Sequence, residues 1–236
     1  MRRGNEPGKR TTVLSHIATS GPRTEYQLYN ELKMSHGTIH YALKKLAQEG
    51  LLKPTQRKRA RAVRKAIMYH LTDRGLLTVL ASTSDSGTWK KIVEAWRNLC
   101  PKILLNWRQL STRLGNKYLK NKIMSTAAMV LSERIPPPYR VRLGEPVDYV
   151  DLFNTVFLNP FLVEGGRPER EHLVRALGRV PDLKSEASQK LRFFERAYSS
   201  MADDIKHLQR VLELQGSATS KPRRSRSRIA LGSRPP

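Results

Sequence analysis

Between Thr11 and Leu80 the apolar residues fall into short helical stripes, separated by turn signals and interrupted once by a pair of strands. Thr11 or Thr12 caps a first helix that turns Val13, Leu14 and Ile17 inward and stops at Gly21-Pro22. Thr24 to Lys33 (TEYQLYNELK) opens with a Thr-x-x-Gln capping box and spaces Tyr26, Leu28, Tyr29 and Leu32 as a helix does. Ser35 caps the next helix, HGTIHYALKKLAQEG, where Ile39, Leu43 and Leu46, flanked by Ala42 and Ala47, make one stripe. Gly50 closes it, at a position where a left-handed backbone costs glycine little. Leu51 and Leu52 begin a strand, Ile67–Leu71 (IMYHL) reads as its return, and Thr72 caps a further helix, DRGLLTVLAS.

Past the polar stretch Ser82–Thr88 (STSDSGT), expected as a linker, the pattern is helical throughout. Trp89 to Leu114 repeats apolar residues at Trp89, Ile92, Val93, Trp96, Leu99, Ile103, Leu104, Trp107, Leu110 and Leu114, and Pro101 should kink or split that helix near Leu99. Lys117–Ile135 is another helix, stopped by Pro136-Pro137-Pro138. Residues 146–163 are expected to be helical to about Leu158 and to turn at Asn159-Pro160. After Gly165-Gly166, Pro168 with Glu169 and Glu171 starts a short helix through Gly178.

From Asp182 to Gln215, Ala187, Leu191, Phe194, Tyr198, Met201, Ile205, Leu208 and Leu212 alternate spacings of four and three. This is a heptad seam on a helix of roughly 50 Å at 1.5 Å per residue. A helix of period 3.6 drifts from it by only ~20° per heptad, so the spacing serves a seam between two chains or packing within one.

Ser35 to Leu52 (SHGTIHYALKKLAQEGLL), followed by Tyr69–Gly75 (YHLTDRG), resembles the recognition helix, wing and following helix of prokaryotic winged-helix transcription regulators. PadR-like and MarR-like repressors are the nearest in character, over roughly residues 11–81. The expected fold is mostly α. A flexible basic arm, 1–10, precedes an N-terminal winged helix-turn-helix with a small β-hairpin wing, 11–81. A linker, 82–88, leads to an α-helical domain, 89–180, and a long C-terminal helix, 181–215, read as a dimerisation coiled coil. The tail, 216–236, is Ser/Arg/Pro-rich and too polar to bury a core, so disorder is expected there.

Charge agrees with that picture. The chain has 44 Lys plus Arg against 20 Asp plus Glu, a net of +24, which is the footprint of a polyanion binder. Residues 1–80 hold 16 basic and 5 acidic residues, and Lys53 to Lys65 carries seven Lys/Arg and no acid. Residues 81–215 have the lowest charge density, as suits a region that does something other than grip phosphate.

With the stripe of the second helix-turn-helix helix turned inward, His36, Gly37, Thr38, His40, Tyr41, Lys44, Lys45 and Gln48 face out, beside the capping Ser35. The N-terminal part of such a helix enters the major groove. His36, Thr38, His40 and Tyr41 are then nearest the base edges, Lys44 and Lys45 nearest phosphate, and Gly37 allows close backbone approach. Neither Arg nor Asn stands there, so the strongest bidentate base contacts are missing, and DNA shape and the wing carry a larger share. Arg57, Lys58, Arg59, Arg61, Arg64 and Lys65 would make those wing contacts.

Other chemistry is sparse. Cys100 is the only cysteine, and no Cys/His cluster has zinc-finger spacing. His36 and His40 are four apart, yet no third metal ligand lies nearby. Trp89, Trp96 and Trp107 either belong to the core or line a pocket for a small-molecule effector. No nucleophile motif, Gly-rich phosphate loop or acid/base pair appears, so neither an enzyme nor a cofactor is expected. No apolar run approaches the ~18–20 residues needed to span a bilayer, and MRRGNEPGKR has no apolar segment behind it to act as a secretory signal.

The expectation is a cytoplasmic, nucleoid-located homodimer on double-stranded DNA, joined through Leu191, Phe194, Tyr198, Met201, Ile205, Leu208 and Leu212. The alternative is a structural protein, nucleoid-associated or RNA-binding, that uses its charge with little sequence choice.

Overall fold

The structure, a computed structural model, describes residues 7–57, 66–83, 85–132, 147–162 and 167–219, with side chains as far as Asp203 apart from those of Pro7, Arg57 and Arg167. It is mostly α. The chain begins with α1 (Pro7–Ser20), β1 (Arg23–Thr24), α2 (Glu25–Leu32) and α3 (His36–Gln48). The hairpin β2 (Leu52–Arg57) and β3 (Ala66–Leu71) follows, and then α4 (Asp73–Ser82).

α1 starts ahead of Thr11 and takes Pro7 to Arg10 out of the expected arm. Proline suits the first helical position, where its missing N–H would have had no partner. The Thr12 hydroxyl, rather than capping a helix, donates back to the Gly8 carbonyl at 2.7 Å. The capping box of α2 is present, with Gln27 N–H on the Thr24 hydroxyl and the Gln27 side chain on the Thr24 N–H. β2 and β3 pair antiparallel from Leu52↔Leu71 to Arg57↔Ala66. β1 adds two residues to the other edge of β3, Arg23 against Tyr69 and Thr24 against Met68, giving the order β1-β3-β2.

One junction ties these parts together. The Thr72 hydroxyl donates towards the Gly50 carbonyl at 2.7 Å and lies 3.0 Å from that of Leu51, while accepting from the Gly75 N–H at 3.0 Å. The Thr72 N–H also donates to the Leu51 carbonyl at 3.2 Å. Gly75 is buried against that carbonyl, where a Cβ would stand 2.1 Å from the oxygen.

Beyond α4 come α5 (Ser86–Ala95), α6 (Lys102–Leu105), α7 (Trp107–Leu114), α8 (Asn116–Leu131), α9 (Tyr149–Leu158), a 3₁₀ turn at Pro160–Leu162, α10 (Arg167–Gly178) and α11 (Pro181–Thr219). The stretch Trp89–Leu114, expected to kink or split near Leu99, is split into three helices. α5 ends before Trp96, and Pro101 restarts the chain as the N-cap of α6.

The hydrophobic core runs from Val13 in α1 to Leu183 in α11. α5 lies on α1, where the Trp96 indole donates to the Ile17 carbonyl at 3.2 Å, and α8 lies along α4. The tryptophan stripe is part of this packing. Trp89 is fully buried, donates to the Thr83 carbonyl and meets Trp107 edge-on at 6.1 Å. Cys100 is buried beside the Ile92 carbonyl, and burial pushes its thiol up to about 12.

In the part of α11 that belongs to this first unit, Leu191 lines a small cavity with Leu158, Val174 and Leu177, and Phe194 is fully buried. These two seam residues therefore pack within their own chain. A second unit begins at Glu195. In it Tyr198 and Met201 are half-buried, and the side chains of Ile205, Leu208 and Leu212 lie outside the described residues. The helix passes Gly216 and reaches Thr219, into the expected tail; one glycine costs a helix only about 1 kcal/mol.

Gly75→Ala should lower stability by about 1–3 kcal/mol or more, because the new methyl meets backbone that cannot rotate away. Gly37→Ala adds a methyl with nothing within 4 Å and should hold or raise stability. Urea midpoints at unchanged m-value check the pair.

Candidate nucleic-acid interface

α3 buries Ile39, Ala42, Leu43 and Leu46, which leaves His36, Gly37, His40, Tyr41, Lys44 and Gln48 exposed and Thr38 and Lys45 half-buried. Two expected interface residues are engaged locally. The Ser35 hydroxyl accepts from the Thr38 N–H at 3.3 Å and shares a 2.9 Å hydrogen bond with the Thr38 hydroxyl. Both hydroxyls thus serve the helix cap. His36, His40 and Tyr41 remain at the leading end, with Lys44 one turn behind. The Lys45 ammonium lies 5.9 Å from the Tyr41 ring centroid, within cation–π range.

Each of these histidines is held from α2. The Tyr29 and His36 rings stack at 3.8 Å with 10° between their planes. His40 Nδ1 lies 3.3 Å from a carboxylate oxygen of Glu25. Glu25 and Tyr29 are four residues apart on α2, as His36 and His40 are on α3, so the two rows match across the helix pair. Sequence reasoning found the histidines and missed their holders; the equal spacing was the available signal. Burial, and after it the nearby Glu25 charge, raises the Tyr69 phenol above its ordinary value. Glu25 and Tyr69, with Tyr26 and Ile67, line an open cleft between the start of α2 and β3.

Other acids of this region also have basic partners. Glu49 pairs with Arg10 at 2.6 Å, and Glu31 lies 2.5 Å from His16 Nε2 and 3.0 Å from Arg23. Burial acts to raise the Glu31 pKa, but hydrogen bonds from His16 and Arg23 outweigh it and hold the carboxyl below its usual value.

The ladder of the hairpin closes at Arg57↔Ala66. Arg57 is described by its backbone alone, and Lys58, Arg59, Arg61, Arg64 and Lys65 lie outside the described residues.

Three helices, a two-stranded hairpin and a short edge strand are thus arranged with one helix face open and histidine-rich. Residues 9–75 match the family model described as winged helix DNA-binding domain. This region of the chain is a winged helix DNA-binding domain. The match runs from α1 to the first turn of α4, and agrees with the resemblance carried by Ser35–Leu52 and Tyr69–Gly75. Within the winged helix, α3 is the helix after the turn, the one such domains place in the major groove. No curated protein and no solved structure matches the chain. Among the described residues, no helix is long and apolar enough to cross a membrane.

Ser35→Ala should cost about 1 kcal/mol of stability through the lost cap and leave base preference intact. His40→Ala or Tyr41→Ala should instead reduce discrimination between selected and random duplexes by ~1–3 kcal/mol. Thermal melting and competition binding on the same variants separate the two effects.

Proposed function

We propose that the protein is a transcription regulator that binds double-stranded DNA as a dimer and represses by occluding a promoter. The observation that carries this reading is the winged helix match at residues 9–75, combined with the outward α3 face of His36, His40, Tyr41, Lys44 and Lys45. The basic run in the wing supports it: counterion release by Arg57, Lys58, Arg59, Arg61, Arg64 and Lys65 would supply affinity for any duplex. The absence of Arg and Asn from the reading face favours the second reading, a nucleic-acid-binding structural protein with little sequence choice. A regulator binds its site on the order of a thousand-fold or more above random DNA at fixed salt, and a structural protein does not.

Replacing Arg57, Lys58, Arg59, Arg61 and Arg64 with Ala should weaken binding to all duplexes. The log–log salt slope should flatten by up to ~0.9 for each phosphate contact removed. Titration of fluorescent duplexes across a salt series measures both, and an unchanged slope would mean that the wing does not touch the backbone.

The dimer contact is assigned to Tyr198, Met201, Ile205, Leu208 and Leu212, which continue the heptad spacing past the part of the seam packed in the chain's own core. Two winged helices on two half-sites would compensate for the few base-reaching side chains of one. Ile205→Glu with Leu208→Glu should give a folded monomer by light scattering, with affinity reduced to that of a half-site. A folded variant of unaltered mass sinks the dimer assignment.

A further inference from the structure

Every outward histidine of α3 is braced by α2, but the two braces differ in kind. Tyr29 covers a face of the His36 ring and leaves its nitrogens uncommitted. Glu25 instead addresses one nitrogen of His40, Nδ1, and leaves the opposite edge of a ring whose side chain is 65% exposed. An exposed pair of this type contributes little to stability, so its chemical consequence lies in what it does to the imidazole. An ionised carboxylate only accepts hydrogen bonds, so the nitrogen facing Glu25 carries the hydrogen. In a neutral ring the other nitrogen, Nε2, is then an acceptor.

We propose that Glu25 is a positioning residue for sequence readout, which fixes His40 as the Nδ1–H tautomer and presents Nε2 to the major groove as an acceptor for the amino group of adenine or cytosine. This rests on the reading of α3 as a duplex-binding helix. The choice of base follows from the groove edges: adenine N6 and cytosine N4 donate there, whereas guanine O6 and N7 and thymine O4 accept. An acceptor set against guanine or thymine leaves two acceptors facing each other, which discriminates by on the order of ten-fold. His36 and Lys44, one turn away on either side, and Tyr41 beside it complete the surface around His40. The Tyr29–His36 stack keeps the neighbouring ring flat against α2.

The test is selection of the full-length protein on randomised duplexes at about pH 8, above the usual histidine range. Wild type, Glu25→Gln, Glu25→Ala, His40→Asn and the double variant Glu25→Gln/His40→Asn are compared, with melting curves for each. Wild type should enrich adenine or cytosine roughly ten-fold at one position. Both Glu25 variants should lose that preference at that position alone, because a glutamine amide satisfies either tautomer and alanine neither. His40→Asn should select adenine whatever residue stands at 25, since asparagine reads adenine without help from a carboxylate.

Imidazole ¹⁵N NMR of the free protein supplies a readout that folding does not move: His40 should be the Nδ1–H tautomer in wild type and a mixture in Glu25→Gln. A wild-type preference that survives both Glu25 variants, or an Nε2–H tautomer in wild type, overturns the assignment while leaving the DNA-binding reading intact. A protein that binds duplex but enriches no sequence overturns the assignment together with the regulator reading, and a protein that binds no duplex overturns the DNA-binding reading as well.

Discussion

The carbonyl of Leu51 is the point on which the DNA-binding region depends. It receives the Thr72 N–H, lies within reach of the Thr72 hydroxyl, and has Gly75 packed against it with no room for a side chain. Leu51 leaves α3 and Thr72 leaves β3, so both ends of the hairpin and the start of α4 are referred to one backbone group. Shifting it would change the angle of the wing against α3 and the seating of α4 in the core together. A buried polar group that is fully satisfied specifies a unique arrangement, and the cost of leaving it unmade makes alternatives expensive.

Electrostatics are arranged around the same region. Acids that would face a polyanion are paired, Glu49 with Arg10, Glu31 with Arg23 and His16, and Glu25 with His40. Each of these pairs sets a carboxylate against a basic side chain, so the net positive charge rests on the basic residues outside them, and Glu25 of the neighbouring helix is tied to a side chain of the exposed α3 face.

What could be read from sequence was local. The Thr24 box, the Ser35 cap, the α3 stripe and the hairpin between Leu52 and Leu71 are each set within a few residues, and all are present. Features that depend on distant partners were not legible. β1 is two residues long and exists because β3 has an edge to pair with. The break in Trp89–Leu114 at Pro101 was legible, but the contact of Trp96 with Ile17, between positions far apart in the chain, was not. Phe194 fits a heptad between chains as well as a core within one, and only the packing separates them. At the site, periodicity named His36 and His40 but could not show that Glu25 and Tyr29 stand opposite them, because that register is a property of the α2–α3 pair.

α1 has one more consequence. Val13 and Ile17 are buried in a helix that packs against α3 on the DNA-binding side and against α5 on the other, and α4 is likewise shared with α8. The recognition element and the later helices therefore have a common wall rather than a hinge. Modularity is lost: a chain cut after Ser82 would present an oily surface where α5 and α8 had been, and grafting the element onto another scaffold would require that scaffold to supply a matching cover.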